Sequence, residues 1–423
     1  MELPILLIVI FLPVMLILSV PIGVALGLSV AIAIIAADMP VAFLMQKMFF
    51  SLDAFPLLAV PFFIMAGEIM QKGSMAESLL NFSRCLVGHI TGGLAHVSVL
   101  TCMFYGALSG SAPATVAAVG GVMIPSMEKE GFSKSFSTAT NVSAGCLGVM
   151  IPPSVPLIIY GTTANVSVGD LFIAGIIPGI FIGIILMFSC YFLSKFHGFD
   201  TKSKKSSFKQ TLTALGKAKY ALAVPVIVLG GIYGGVTTPT EAGAIAVTYA
   251  FFVEGIILKK LNGTKIWAIL KGTTITNATI FLVVATASAL GQILLIYNIP
   301  DALVGALSGL ADKKVLFIFV IIIMLLILGT FMDALANILI LTPLLQPLVM
   351  QAGMDMTHFG IVMIATVSLG FLTPPVGVNL FVGCGISGIS IEKLSYAVLP
   401  FLFIMLIAIF ILAYIPQIAL CLL

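Results

Sequence analysis

The sequence predicts an all-α polytopic membrane protein built from two inverted-topology repeats. Hydrophobic residues make up 61% of the 423 residues, charged residues make up only 8%, and the mean hydropathy is +1.24. A chain of this composition is typical of proteins that cross a bilayer several times. In addition, residues 109–178 and 331–400 match each other without a gap, at a constant offset of 222 positions. The chain therefore consists of two copies of one membrane unit.

The matched positions include an unusual proline pair. At the same offset Gly148 falls on Gly370, and Pro152-Pro153 falls on Pro374-Pro375. Each pair interrupts an otherwise apolar segment of membrane-spanning length. Such an interruption predicts a broken membrane helix, and its repetition in both halves is the best sequence indication of a transporter's binding site.

The apolar runs of the first copy, residues 1–195, predict its elements in order. They are helices near 3–19, 21–37 and 56–70, a helical hairpin at about 86–127, a helix at 135–163 that is broken at 152–153, and a helix at 171–194. Residues 196–219 are polar and basic, which predicts a cytoplasmic loop between the repeats.

The second copy, residues 220–423, repeats this order. Its predicted elements are helices near 220–236, 240–258 and 274–296, a hairpin at about 315–350, a helix at 358–383 that is broken at 374–375, and a helix at 395–420. Two weaker lysine-containing segments, 42–52 and 261–271, predict interfacial amphipathic helices, with ordinary loops as the alternative.

The segments 86–127 and 315–350 are interpreted as re-entrant hairpins. Each arm is short for a crossing, which takes about 20 residues, and neither break contains a polar exit loop. Two full crossings per segment are the alternative. With hairpins each repeat crosses five times, so the second repeat is inverted relative to the first.

The basic residues support this topology. Of 19 Lys and Arg residues, the predicted topology leaves only Lys47, Lys313 and Lys314 outside the cytoplasm. Cytoplasmic loops carry an excess of basic residues. Both termini are then expected on the periplasmic side of the membrane.

The four breaks predict one polar cavity near the middle of the bilayer, because irregular backbone at that depth must be buried in protein or line a water-filled cavity. The proline pairs are expected to begin half-helices, and Ser111 and Asp333 to cap the returning arms of the hairpins. Helix N-termini favour a carboxylate substrate, and the carbonyl groups that the breaks leave free favour a cation such as Na⁺.

Polar side chains cluster at the same breaks. Asp333 is the only carboxylate between Asp312 and Asp355, and an ionisable residue at that depth indicates function by default. A cation site is favoured for Asp333, with a purely structural helix cap as the alternative; the same alternative holds for the hydroxyl residues. Glu68 and its approximate counterpart Gln292 lie near predicted helix ends, which indicates an interfacial location. The candidates for lining the site are Ser109, Ser111, Thr115, Ser154, Thr330, Asp333, Asn337, Thr373 and Asn379.

The segments Ser109–Thr115, Gly148–Ser154 and Gly370–Pro375, together with Thr238–Ala242, resemble the large membrane subunit (M, or DctM-like) of TRAP transporters. The resemblance covers essentially the whole chain. It implies a Na⁺-coupled importer of organic anions with elevator-type scaffold and transport domains. It also implies two partners, a small four-helix membrane subunit (Q type) and a periplasmic substrate-binding protein (P type). The bacterial inner membrane is the expected location.

The family resemblance also assigns residues. The sodium sites that it implies consist of Ser109, Gly110, Ser111, Gly148, Pro152, Gly329, Thr330, Asp333, Gly370 and Thr373. The residues expected at the substrate are Ser111, Ala112, Thr115, Ser154, Asp333, Asn337, Thr373 and Asn379.

The function that follows is Na⁺-coupled import of a carboxylate, and the chain resembles family members that handle sialic acid. A stand-alone Na⁺/carboxylate symporter without a binding protein is the alternative. Enzymatic activity is not expected, since no histidine lies near the breaks to act with a nucleophile. Na⁺ is the only expected cofactor, lipid is the expected surroundings, and no nucleic-acid partner is expected.

Overall fold

The computed structural model describes residues 3–18, 20–199, 205–303, 305, 313–374 and 377–423. Every regular element in these ranges is helical. Seven of the described helices are long and apolar enough to cross a membrane, or eight if the bent pair Lys134–Met150 and Val155–Ala164 forms one span. An all-α polytopic membrane fold is therefore confirmed.

The helices of the first half follow the predicted order. They are Leu3–Ile17, Ile22–Ala36, Val41–Leu52, Phe55–Lys72, Met75–Val87, Gly93–Ser109, Ala112–Thr115, Val116–Gly120, Gly121–Lys129, Lys134–Gly145, Leu147–Met150, Val155–Ala164 and Val168–Phe196. The segment Val116–Gly120 has π-helical hydrogen bonding and continues the helices on either side of it.

The first hairpin begins later than predicted. Residues 86–92 do not belong to it, because a separate helix, Met75–Val87, precedes it. This helix buries Met75, Leu79 and Phe82 and exposes polar residues between them, an amphipathic pattern. The hairpin itself runs from Gly93 and folds back on itself, since Ser98 near its start contacts the Met127 sulfur near its end at 3.7 Å.

The helices of the second half also follow the predicted order. They are Phe208–Tyr233, Pro239–Phe252, Val253–Ile257, Gly263–Ile296, Lys314–Gly329, Ala334–Gln351, Met356–Gly370, Val378–Ser387, Ile391–Tyr414 and Gln417–Leu420. The polar connection predicted over 196–219 is shorter, because a Ser207–Gln210 capping box starts a helix at Phe208. The separate interfacial helix predicted at 261–271 is also wrong, since that segment is continuous with the helix that ends at Ile296.

Pro152, Pro153 and Pro374 lie in the breaks and do not begin the half-helices, contrary to the prediction. The first broken helix bends by 42° and resumes at Val155, with Pro156 in its first turn. The second resumes at Val378, after Gly377, whose φ of +51° is a conformation that favours glycine. Pro375 lies outside the described residues.

The two broken helices form the centre of the molecule. Met356–Gly370 is buried along nearly its whole length. Cys146 donates a hydrogen bond from its thiol to the carbonyl oxygen of Ser368 at 3.0 Å, and these two residues are matched positions of the two copies. Tyr160 donates to the carbonyl oxygen of Met356 at 2.6 Å. Because matched residues touch each other, both broken helices lie where the copies meet.

Candidate binding cavity

A cavity of about 350 Å³ lies where the turning points of the two hairpins approach each other. We call residues 109–115 the first tip and residues 329–337 the second tip. Residues 109–111 and 113–114 of the first tip and residues 333–335 of the second line this cavity. Its volume is in the range of small-molecule sites. Val149, Val155 and Pro156 beside the first proline break, and Phe371 beside the second, line it as well, so the prediction that the four breaks surround one cavity is met.

The first tip is held by neutral hydroxyl groups. Thr115 Oγ1 donates to the carbonyl oxygen of Ser111 at 2.7 Å and lies 2.9 Å from Ser109 Oγ. Ser111 caps the returning helix, since its side chain accepts from the backbone N–H of Ala114 at 3.5 Å. Gly110 has a φ of +59°, which lets the chain reverse without steric strain. These contacts fix a turn that carries no formal charge.

The second tip repeats this arrangement with a carboxylate. Asp333 Oδ2 accepts from the backbone N–H of Leu335 at 3.1 Å and so caps the helix Ala334–Gln351. Asn337 Nδ2 donates to the carbonyl oxygen of Asp333 at 3.2 Å, as Thr115 does to Ser111. Thr330 Oγ1 donates to the carbonyl oxygen of Ile327 at 2.7 Å. Position by position, Asp333 matches Ser111 and Asn337 matches Thr115.

Each tip rests on the broken helix of its own copy at a glycine. A Cβ on Gly148 would overlap Thr115 Oγ1 and lie 2.6 Å from the carbonyl oxygen of Ser111. A Cβ on Gly370 would lie 2.5 Å from the carbonyl carbon of Gly329. The matched glycines are therefore required for the close approach of tip and broken helix.

The polar groups of the cavity can serve both an anion and a hard cation. The N-termini of the helices that begin at Ala112, Val155 and Ala334 carry partial positive charge toward it. Oxygen atoms from carboxylate, hydroxyl and amide groups provide ligands of the type that Na⁺ prefers. Among the described residues there are two salt bridges, and Asp333 takes part in neither. The side-chain oxygen of Asn337 is buried and has no described partner.

The predicted site residues fall into three groups. Ser109, Gly110, Ser111 and Asp333 line the cavity. The second group supports the tips from behind and consists of Ala112, Thr115, Gly148, Gly329, Thr330, Asn337 and Gly370.

The third group does not reach the cavity. Ser154 is fully buried and donates to the carbonyl oxygen of Val149 at 2.6 Å. Pro152 packs beside Gly175, and Thr373 bonds back to the carbonyl oxygen of Leu369 at 3.2 Å. Asn379 is held between the broken helices, where its Nδ2 donates to the carbonyl oxygen of Val142 at 3.2 Å. Their described contacts are those of helix capping and packing.

The sequence reasoning missed the opposite side of the cavity. Glu68 and Gln71 on the helix Ala59–Lys72, and Thr276 and Thr279 on Gly263–Ile296, line it there. We call these four residues the opposing wall. Glu68, for which the sequence predicts an interfacial location, lies in the last part of its helix and also lines the cavity. Each pair is spaced three apart on one helix face, a signal that could have been read as a shared polar surface.

The chain has clear relatives among known proteins. Residues 8–418 match the family model of the Tripartite ATP-independent periplasmic transporter, DctM component. The isethionate TRAP transporter permease protein DctMQ of Oleidesulfovibrio alaskensis is 43% identical over 95% of this chain, and the match spans 64% of that protein's length. The C4-dicarboxylate TRAP transporter large permease DctM of Pseudomonas aeruginosa is 38% identical, over 94% of this chain and 93% of that protein.

Two further likenesses agree with these. The sialic acid TRAP transporter large permease SiaM of Vibrio cholerae is 36% identical, over 96% of this chain and 95% of that protein. The solved structure of the YdaH transporter of Alcanivorax borkumensis superimposes with a TM-score of 0.57 over 98% of both chains, at 15% identity. At that identity the likeness concerns the fold alone.

Proposed function

We propose that this chain is the subunit through which an organic acid anion is imported together with Na⁺. The proposal starts from the family: the chain belongs to the DctM component family of tripartite ATP-independent periplasmic transporters. The family is one of transporter permeases and not of enzymes. Its members and the apolar helices described above make this chain a multi-pass protein of the inner membrane.

The observation that carries the proposal is the pairing of the two tips around one cavity. Both tips present a capped helix N-terminus, and the second adds an unpaired carboxylate, Asp333. An anion is stabilised at the N-termini, and Na⁺ is stabilised by Asp333 and the neighbouring oxygen atoms. Binding of each then favours binding of the other, which is the coupling that symport requires.

Alternating access by an elevator movement is part of the proposal. The two copies match at a constant offset and touch at Cys146 and Ser368, as elements related by a pseudo-two-fold axis would. If each copy crosses the membrane five times, that axis lies in the membrane plane and the repeats are inverted. The distribution of basic residues supports this topology, in which both termini lie in the periplasm.

The proposal includes two protein partners and a class of substrate. A small membrane subunit and a periplasmic substrate-binding protein complete the tripartite system that the family name describes. The relatives are named for isethionate, C4-dicarboxylate and sialic acid. Sulfonate and carboxylate anions both suit the helix N-termini at the tips, so the proposed substrate is an organic acid anion.

Uptake into proteoliposomes tests this function. The chain and its small partner are reconstituted, and uptake of labelled isethionate, succinate and N-acetylneuraminate is measured with and without a Na⁺ gradient and with and without the cognate binding protein. We expect uptake only when the gradient and the binding protein are both present. Uptake driven by Na⁺ alone would favour the stand-alone symporter, and gradient-independent uptake would contradict Na⁺ coupling.

A further inference from the structure

The two sides of the cavity differ in what they offer a ligand. The tips present helix N-termini, which favour an acid group. The opposing wall presents one carboxylate, one amide and two hydroxyl groups, from Glu68, Gln71, Thr276 and Thr279. None of the described residues that line the cavity is basic. A second acid group on the ligand therefore has no cationic side chain to meet it.

Glu68 is held close to the first tip. The preceding residue, Gly67, packs directly against that tip, because a Cβ there would lie 3.1 Å from the carbonyl oxygen of Leu108 and 3.2 Å from Ser109 Cα. The Glu68 side chain keeps 23% of its surface exposed. This residue thus reaches the cavity within a short distance of the groups that receive an anion.

Glu68 forms an ion pair with a lysine that is not among the residues lining the cavity. Lys72 Nζ lies 3.3 Å from Glu68 Oε2 and also donates to the carbonyl oxygen of Ala268 at 3.2 Å. Lys72 is therefore anchored between the two helices of the opposing wall and is not among the described lining residues. Because Lys72 is held by this pair and by the carbonyl oxygen, it does not supply a positive charge to the cavity lining.

We infer that Glu68 makes the cavity selective for hydroxylated monoanions over dicarboxylate dianions. The single acid group of such a ligand lies at the tips, and its hydroxyl groups donate to the Glu68 carboxylate and exchange hydrogen bonds with Gln71 and the threonines. A dianion places its second carboxylate against Glu68, where like charges repel. This selectivity deepens the proposed function and rests on it.

Ligand-induced stabilisation of the membrane complex tests the inference without the binding protein, whose own selectivity would mask it. The midpoint of thermal unfolding is titrated in Na⁺ with 4-hydroxybutyrate and with succinate, which have equal chain length and differ in the second acid group. Wild type should bind 4-hydroxybutyrate more tightly. Glu68→Gln should move the ratio of the two affinities toward succinate by about tenfold or more.

Glu77→Gln is the matched control, because it removes the same charge from an exposed position on the helix Met75–Val87; it should leave the ratio unchanged. If Glu68→Gln does not fold, Gln71→Glu gives the opposite test, since an added charge should weaken succinate further. Equal or tighter succinate binding by wild type, or the same ratio in both Gln variants, overturns the inference. If the inference fails, Na⁺-driven uptake of any organic anion still supports the proposed function. If no such uptake occurs, the proposed function and the inference are both contradicted.

Discussion

The two tips share their backbone design and differ in charge. In each, a polar residue caps the returning helix and a second residue four positions later bonds to the carbonyl oxygen of the first, in the pairs Ser111–Thr115 and Asp333–Asn337. Capping needs only an acceptor, which serine and aspartate both supply. The formal charge at Asp333 is therefore not needed to shape the tip.

The tips also differ in whether their polar groups have hydrogen-bonding partners. At the first tip the Thr115 hydroxyl has two partners, Ser109 and the carbonyl oxygen of Ser111. At the second, the side-chain oxygen of Asn337 is buried without a described partner, and no basic residue in the described ranges forms a salt bridge with Asp333. A buried polar atom without a partner is costly. The first tip is complete by itself, whereas the second keeps an unpaired carboxylate and an unpartnered amide oxygen, as the cation site that we propose for it requires.

The largest effect is expected from a substitution where the second tip and its broken helix approach each other. In Gly370→Ala the three atoms nearest the new Cβ are all backbone atoms of Gly329, at 2.5 to 2.7 Å, so a side-chain rearrangement cannot relieve the overlap. We expect a loss of about 3 kcal/mol or more in stability and little folded protein. Gly121→Ala is the control, since nothing lies within 4 Å of its Cβ. Normal yield and thermal stability of Gly370→Ala in detergent would show that the contact is looser than the structure indicates.

The next largest effect is expected from removing the charge that distinguishes the second tip from the first. Asp333→Asn keeps a capping oxygen but removes the charge, so the Na⁺ concentration for half-maximal uptake should rise about tenfold or more. Ser111→Ala removes one neutral acceptor at the matched position and should change it by about fivefold or less. Sodium activation curves for uptake, corrected for the amount of inserted protein, give both values. Equal shifts in the two variants would mean that the tips contribute alike to sodium binding.

Much of this comparison could be predicted from the sequence. Spacing and match at a constant offset were enough to place both tips, both breaks and the capping roles of Ser111 and Asp333, because capping and helix interruption depend on local residue types. The order of the membrane helices followed from apolar length alone.

Other features depend on contacts between distant segments. Whether Ser154 or Asn379 reaches the cavity depends on how the broken helices pack, and a polar side chain inside a membrane helix can equally bond to its own backbone. Glu68 lies near a helix end in the sequence, yet the packing of Gly67 against the first tip brings it to the cavity. Periodicity does not encode such approaches between helices.

The smallest expected effect comes from removing the hydrogen bonds of Thr115, which belongs to the tip whose polar groups are satisfied. Thr115→Val keeps the shape of the side chain but removes its hydrogen bonds to Ser109 and Ser111, which should cost about 1 kcal/mol. In a chain of this size that lowers the unfolding midpoint by about 1 °C. The loss should be the same in NaCl and in choline chloride, because the first tip is satisfied without a cation.

Asn337→Leu should behave differently at the matched position. It removes hydrogen bonds to Met332 and Asp333 but also the unpartnered oxygen, so in choline the midpoint should change little. In NaCl we expect wild type to gain stability by binding the cation at the second tip, and the variant should lose most of that gain. If instead Thr115→Val loses the sodium-dependent gain and Asn337→Leu keeps it, the first tip holds the cation and the roles that we assign to the two tips are reversed.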